Sequence, residues 1–260
     1  MAPINRIRNR LEKGEVAMGA RVKTHAPALI EVYGQLALDF VWIDFEHGGP
    51  SPEHAGYIEG LIRAADSAEI DLLVRLPTGA PHVVRKQLDA GVRTVLIPRV
   101  DGPEDIRPAV EAAYFTYEGE PGQRGFAGGR VSGWGNHADT YAEDEDASVL
   151  IGAQIESQAG IDHLDEILAI PGLGFINIGH GDLAVSLGHP LNPGHAEVQG
   201  AIDSVRRACH AAGVPIGRIP ADVDDAVDAM DAGYQLLRLG DEIEGARQLL
   251  GNRLDALRER

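Results

Sequence analysis

The sequence is poor in cysteine and in lysine, and these shortages exclude several classes of protein. Cys209 is the single cysteine among 260 residues, so an internal disulfide and a multi-cysteine metal site are excluded. Basic residues number 23, of which three are lysine, against 40 acidic residues, and the net charge is −17 at pH 7. This balance argues against nucleic acid and anionic membranes as partners, because phosphate binding needs clustered basic side chains.

Long apolar runs are also missing. No segment approaches the roughly 18 apolar residues that a membrane span requires, and the first 15 residues carry charges without the apolar core of a secretory signal. We therefore expect a cytoplasmic protein. The length suits one large α/β domain, and we predict a single domain over residues 1–260.

Strand-type and helix-type runs alternate along almost the whole chain. Strands are predicted at 16–22, 40–44, 71–76, 93–98, 149–156, 174–179, 214–219 and 234–239. Helices are predicted at 26–36, 51–68, 81–90, 103–115, 159–169, 197–212, 222–231 and 241–257, and the acidic segment 141–146 as a solvated helix face. This alternation predicts a (β/α)8 barrel. An open doubly wound sheet is disfavoured because no G-x-G-x-x-G follows the first strand.

Polar side chains cluster where the predicted strands end. The apolar run 40–43 ends in Asp44, followed by Glu46 and His47, and the carboxyl ends of barrel strands share the face that carries catalysis. Glu156 and Asp182 end neighbouring strands, and such a pair suits a hard divalent cation. A helix cap at Glu156 and a turn at Asp182 are the alternatives.

Three further groups extend this predicted site. Arg75 ends an apolar strand, so we expect its guanidinium to face the mouth of the barrel rather than to be buried; an ion pair with a neighbouring acid is the alternative. His47 is a candidate general base if a carboxylate holds its other ring nitrogen. The glycines on either side of His180 leave backbone N–H groups that suit a carboxylate.

Seven short motifs occur in the order and approximate spacing of one known family. They are IDFEHG, LVRLP, LDAG, LIPRV, GQRG, QIES and GHGDLAVSLG. Through these motifs the chain resembles the HpcH/HpaI family of divalent-metal-dependent (class II) pyruvate aldolases, from about residue 7 to residue 250. Each motif alone is weak, but together they are specific.

The resemblance implies a (β/α)8 fold and a role for each matching residue. It implies that Glu156 and Asp182 hold a metal ion (Mg²⁺, Mn²⁺ or Co²⁺), and that Asp44 and Glu46 lie around metal-bound water. On the substrate side it implies that Gln154 lies beside the substrate, that Arg75 contacts the pyruvate keto oxygen, and that the N–H groups of Gly181 and Asp182 bind the pyruvate carboxylate. His47 and Asp89 are implied to form a proton-transfer pair. It also implies a homohexamer, a trimer of dimers that exchange their last helix, here about residues 241–257.

Two positions depart from the family pattern. Many relatives carry Gly-Leu-Trp after the first strand, whereas this chain has Gly19-Ala20-Arg21, which indicates an anionic or polyhydroxylated aldehyde. Relatives often have Gly-Pro where this chain has Gly179-His180. His180 is therefore expected either to contact substrate or to cap the turn.

The predicted function is reversible cleavage of a 4-hydroxy-2-oxoacid to pyruvate and an aldehyde, with 2-keto-3-deoxy sugar acids as candidate substrates. Three alternatives remain open. A Schiff-base aldolase would use Lys23, and an acyl-CoA lyase would need a basic surface, for which the chain offers little beyond Arg124 and Arg130. The third is a non-catalytic protein that binds metal and oxoacid.

Overall fold

Eight parallel strands close into a barrel in the computed structural model, which describes residues 5–52 and 54–260. The strands are β1 (Ala17–Arg21), β2 (Phe40–Asp44), β3 (Asp71–Arg75), β4 (Thr94–Ile97), β5 (Leu150–Ile155), β6 (Leu173–Ile178), β7 (Ile216–Arg218) and β8 (Leu236–Asp241). Each strand pairs with its neighbours in sequence, and β8 closes the barrel against β1. The predicted (β/α)8 fold is confirmed.

Helices surround the barrel and connect its strands. They are α1 (Arg6–Glu12), α2 (Pro27–Gln35), α3 (Ala55–Ser67), α4 (Pro81–Ala90), α5 (Pro103–Ala113), α6 (Tyr141–Ser148), α7 (Gln158–Asp162), α8 (Leu164–Leu168), α9 (His180–Ser186), α10 (Ala196–Ala212), α11 (Val223–Asp231) and α12 (Glu242–Arg258). Within the described ranges, none of them combines the length and the apolar character that crossing a bilayer requires.

Two predicted helices differ from the observed ones. α3 begins at Ala55 rather than at Ser51, because the N–H of His54 donates to the C=O of Ser51 in a separate turn before the helix; residue 53 lies outside the described residues. The predicted helix 159–169 is two short helices that meet at His163. The irregular segment 117–134 contains part of a small hairpin and a 3₁₀ turn.

The acidic segment 141–146 is not a fully solvated helix face, and that prediction is wrong for Glu145. Glu145 is 2% exposed. Its two carboxylate oxygens lie 2.7 Å from Arg93 and 2.7 Å from Arg124. The two guanidinium groups supply the charge and hydrogen bonds that a buried carboxylate requires.

The barrel interior follows from the alternation of side chains along each strand, which directs every second residue inward. The inner core contains Ile7, Leu11, Ala17, Phe40, Trp42, Leu73, Leu96, Leu150, Phe175 and Leu236. Gly19 and Gly152 leave the space that the rings of Phe40 and Phe175 fill. The alternation continues beyond the apolar residues to Arg21, Asp44, Arg75, Gln154 and Arg238. The inward layer at the carboxyl ends of the strands is therefore polar.

Candidate active site

Asp44 is the central carboxylate of this polar layer. It is 1% exposed and accepts hydrogen bonds from Arg75, from Nε to Oδ1 at 2.9 Å and from Nη2 to Oδ2 at 2.6 Å. Arg21 donates to Oδ2 at 2.7 Å, and the backbone N–H of Glu46 donates to Oδ1 at 3.0 Å. Burial acts to raise the pKa of Asp44, but the Arg75 hydrogen bonds and the charges of Arg75 and Arg21 outweigh it and lower the pKa.

Arg75 is buried between two acids. Beyond its two bonds to Asp44, its Nη1 lies 2.8 Å from Oε2 of Glu46, and the residue is 7% exposed. The expectation that Arg75 would not be buried is wrong, because the parallel register places Asp44 of β2 beside Arg75 of β3. Burial acts to lower the pKa of Arg75, but the two neighbouring acids outweigh it and raise the pKa.

Three carboxylates, those of Glu46, Glu156 and Asp182, line one cavity of about 270 Å³ at this end of the barrel. Oε1 of Glu156 accepts from the backbone N–H of Arg99 at 2.8 Å, and Oε2 accepts from the side-chain amide of Gln154. Burial above all, together with the charges of Glu46 and Asp182, raises the pKa of Glu156 against these two hydrogen bonds. Sequence and structure thus place Gln154, Glu156 and Asp182 together.

This donor set fits a hard divalent cation. All its donors are carboxylate oxygens, which Mg²⁺ and Mn²⁺ favour, and a cation would offset the repulsion among them. Glu156 and Asp182 would hold it, and their role as ligands stays a prediction. A second candidate group, His189, His195 and Glu197, lies in the α9–α10 connection and the first turn of α10. None of these three residues lines the cavity of Glu156 and Asp182, so we do not assign this group to the active site.

His47 and Asp89 are not brought together within one chain. His47 follows β2 at the carboxyl end of the barrel, where its Nε2 lies 3.5 Å from Glu46 and 61% of its side chain is exposed. Asp89 lies in the last turn of α4, which returns the chain to the amino end of β4. Its carboxylate lies 4.0 Å from Arg124, and burial raises its pKa. Within one chain His47 does not contact Asp89, and their pairing stays a prediction.

The backbone at the start of α9 has the form expected of an anion site. The first hydrogen bond of this helix runs from the N–H of Leu183 to the C=O of Gly179 at 2.9 Å. The N–H groups of Gly181 and Asp182 precede it and are not used inside the helix. They remain the predicted contacts of the pyruvate carboxylate.

The comparison with known proteins covers this whole arrangement. The profile of the HpcH/HpaI aldolase/citrate lyase family matches residues 19–247. The chain belongs to this family. The resemblance predicted from the seven motifs is confirmed, and the matched range includes every residue of the site from Arg21 to Arg238.

Three known proteins illustrate the similarity. The hydroxypyruvate/pyruvate aldolase of Paraburkholderia phytofirmans is 31% identical over 243 residues, 92% of either chain. The 2-keto-3-deoxy-L-rhamnonate aldolase of Escherichia coli K12 is 32% identical over 236 residues, 91% of this chain and 86% of that protein. A family protein from Burkholderia cenocepacia has a crystal structure that matches with a TM-score of 0.90 at 29% identity, over 98% of this chain and all of that one.

Two polar residues of the site received no role from the sequence. Arg99 has a positive φ of 52°, unusual for a residue with a side chain, and this conformation accompanies the donation of its N–H to Glu156. Asn177 is buried and donates to Oε1 of Gln154 at 3.3 Å. The available signal for Asn177 was its inward position within an apolar strand. No sequence pattern indicates the backbone conformation of Arg99.

Proposed function

We propose that this member of the HpcH/HpaI family is a divalent-metal-dependent aldolase that reversibly cleaves a 4-hydroxy-2-oxoacid to pyruvate and an aldehyde. The observation that carries the proposal is the meeting of Glu156, Asp182 and the Arg75 guanidinium at the barrel mouth. Family membership and the aldolase names of two relatives confirm the predicted class, an aldolase that releases pyruvate from an oxoacid. The 2-keto-3-deoxy sugar acids are the proposed substrates, supported by the name of the Escherichia coli relative.

The chain supplies electrostatic stabilisation where charge develops. Cleavage of the C3–C4 bond leaves negative charge on the pyruvate fragment, and a divalent cation held by Glu156 and Asp182 would supply Lewis-acid stabilisation of it. Arg75 has five N–H donors. Asp44 takes two and Glu46 lies against a third nitrogen, so two N–H groups remain for the keto oxygen. The same acids hold the guanidinium in one orientation, as preorganised stabilisation requires.

A base must remove the proton of the C4 hydroxyl group. His47 lines the same cavity as Glu156 and Asp182 and is open to solvent there, so we assign this role to His47. Oε2 of the preceding residue, Glu46, lies 3.5 Å from Nε2 of His47. The predicted partner Asp89 belongs to this proposal only if another copy of the chain supplies it.

The structure disfavours two of the alternatives. Nζ of Lys23 lies 2.6 Å from Asp241, and an ammonium group held in an ion pair is a poor nucleophile for a Schiff base. The acyl-CoA alternative needs free basic side chains for phosphate. Arg124 is instead buried against Glu145, and Arg130 is paired with Asp66.

The direct test is release of pyruvate from a panel of 2-keto-3-deoxy acids, measured with a coupled dehydrogenase. We expect EDTA to abolish turnover and Mg²⁺, Mn²⁺ or Co²⁺ to restore it. Glu156→Gln should lower metal affinity and turnover, whereas Glu166→Gln, on the exposed face of α8, should leave both unchanged. Turnover in EDTA with borohydride trapping of pyruvate would establish the Lys23 mechanism instead, and metal-dependent pyruvate binding without turnover would indicate a binding protein.

We also propose that the chain assembles through α12 as a homohexamer, a trimer of dimers that exchange this helix. α12 has no buried residue, although an amphipathic helix normally packs its apolar face. Its exposed apolar side chains are Ile243, Leu249, Leu250, Leu254 and Leu257. Light scattering should give six chains, and Leu250→Glu should reduce that number; a monomeric wild type would contradict the proposal.

A cytoplasmic location is proposed as well, supported by the sugar-acid metabolism that the name of a bacterial relative indicates.

A further inference from the structure

His25 is a buried histidine that has no part in the proposed reaction. It lies in the loop between β1 and α2, it is 5% exposed, and its φ of 52° is left-handed. Few residues with a side chain adopt this conformation, and it persists where the surrounding structure fixes it. The side chain does not line the cavity of Glu156 and Asp182. An effect of His25 on the reaction would therefore act through the residues that it contacts.

The imidazole ring of His25 packs against two aromatic rings. Its centre lies 5.6 Å from the centre of the Phe45 ring, with the planes at 82°, and 5.9 Å from the centre of the Tyr57 ring. Edge-to-face contacts such as the one with Phe45 stabilise a pair of rings beyond the area that they bury. Phe45 directly follows β2, and Tyr57 lies in the first turn of α3. The ring of His25 thus contacts both ends of the β2–α3 connection.

The same ring lies against the backbone between these two ends. Gly49 has a left-handed φ of 72°. A Cβ atom at this position would lie 2.3 Å from Cε1 of His25 and 2.8 Å from its Nδ1. Only glycine allows the chain to pass so close to the ring. We call residues 45–49 the His47 turn, and His25 contacts this turn at its first and its last residue.

The His47 turn is also held by the side chain of Asp44. Oδ1 of Asp44 accepts hydrogen bonds from the N–H groups of Glu46 at 3.0 Å and His47 at 3.4 Å. Asp44 is itself fixed by its two bonds to Arg75. Both Glu46 and His47 line the cavity of the proposed metal site. Asp44 and His25 together therefore determine the path of the backbone that carries these two residues.

The segment before His25 is anchored to the start of α12. The carboxylate of Glu242 accepts hydrogen bonds from the N–H groups of Lys23 at 3.0 Å and Thr24 at 2.7 Å. Nζ of Lys23 lies 2.6 Å from Asp241. These contacts hold the backbone before His25 independently of the His47 turn, so the ring is a fixed surface against which the turn packs.

The ring of His25 acts through its shape rather than through charge. Burial lowers the pKa of His25 below its usual value, although the charge of Asp44 opposes this effect. The imidazole is therefore neutral at pH 7. Its Nδ1 is shielded from solvent and has no hydrogen-bond partner within residues 5–52 and 54–260. An uncharged ring of similar shape should therefore be able to replace it.

We propose that His25 is a positioning residue, which fixes the His47 turn and so holds the His47 imidazole at the cavity of Glu156 and Asp182. This inference rests on the proposed role of His47 as the base. Because 61% of the His47 side chain is exposed, the backbone of the turn, rather than packing around the imidazole, determines where the imidazole lies. A misplacement of about 1 Å can lower the rate of an enzyme about 100-fold.

The test uses two replacements that separate the ring from the backbone at position 25. Asparagine readily adopts a left-handed φ but has no ring, whereas phenylalanine retains an uncharged ring. His25→Asn should lower kcat for pyruvate release about 10- to 100-fold with Mn²⁺ affinity unchanged, and His25→Phe should recover much of kcat. His82→Asn, on the exposed face of α4, is the matched control and should leave kcat unchanged. Full kcat in His25→Asn, or an equal loss in His25→Phe, would overturn the inference.

A double-mutant cycle with His47 separates this inference from the proposed function. His47→Ala removes the base and should lower kcat about 10²- to 10⁴-fold. If His25 acts through His47, His25→Asn should cause no further loss of kcat in the His47→Ala background. An equal further loss in both backgrounds would overturn the inference and leave the role of His47 intact. Undiminished kcat in His47→Ala would overturn the assignment of the base and the inference with it.

Discussion

Replacing Arg75 by methionine should reduce both turnover and stability, by amounts that follow from its contacts. Methionine retains much of the apolar stem but removes the bonds to Asp44 and the contact with Glu46. Breaking a buried ion pair by removing one partner costs about 3–5 kcal/mol. Asp44 keeps Arg21 and two backbone N–H groups, so we expect the lower end, about 3 kcal/mol. The melting temperature should then fall by roughly 6–12 °C.

The loss of turnover has a separate cause, and the two effects can be measured independently. Removal of one donor to a developing oxyanion lowers kcat by about 10²–10³. Pyruvate release should be assayed at a temperature where circular dichroism shows the variant to be folded. In Arg75→Met combined with Asp44→Asn, no unpaired buried carboxylate remains at position 44, so stability should recover in part while turnover does not. If turnover recovers together with stability, Arg75 has a purely structural role and the assignment to the keto oxygen is refuted.

Three further predictions concern metal, acid and the thiol. Titration calorimetry with Mn²⁺ should show binding by the wild type, and Asp182→Asn should weaken it at least tenfold; unchanged affinity would exclude Asp182 as a ligand. The pKa of Asp44 is lower in the folded state, so the stabilisation from its ionised form is present above its unfolded pKa of about 4 and is lost as the pH falls through the folded value. Asp44→Asn should therefore reduce the pH dependence of the free energy of unfolding in that window. An unchanged pH dependence would contradict this. Burial raises the pKa of Cys209 to about 12, so a thiol reagent at pH 8 should label it only after unfolding, and prompt labelling of native protein would show that it is accessible.

The sequence predicted the barrel well because the alternation of strand-type with helix-type runs and the residues that end helices are local properties of the chain. Gly91, for example, ends α4 in the left-handed conformation with φ of 116°, as the predicted helix end requires. The starts of helices were less predictable. The loop after β2 contains prolines on both sides of Ser51, and a serine before proline is equally typical of a helix cap and of an extended loop.

The site was predictable by position but not by contact. Strand ends identified Asp44, Arg75, Glu156 and Asp182, and the structure places their side chains in one region. Which acid pairs with which base depends on the register between strands, which no local pattern contains. The burial of Arg75 between Asp44 and Glu46 is a consequence of that register.

The polar layer separates the fold of the barrel from the chemistry of its mouth. The inner core around Phe40, Trp42 and Phe175 is apolar and packs below this layer. The next inward residues on β2 and β3, Asp44 and Arg75, bond to each other. Because parallel strands pair through their backbone groups, removal of this ion pair should leave the barrel closed while it abolishes turnover. The double variant Arg75→Met with Asp44→Asn, which removes both charges, measures these two effects separately.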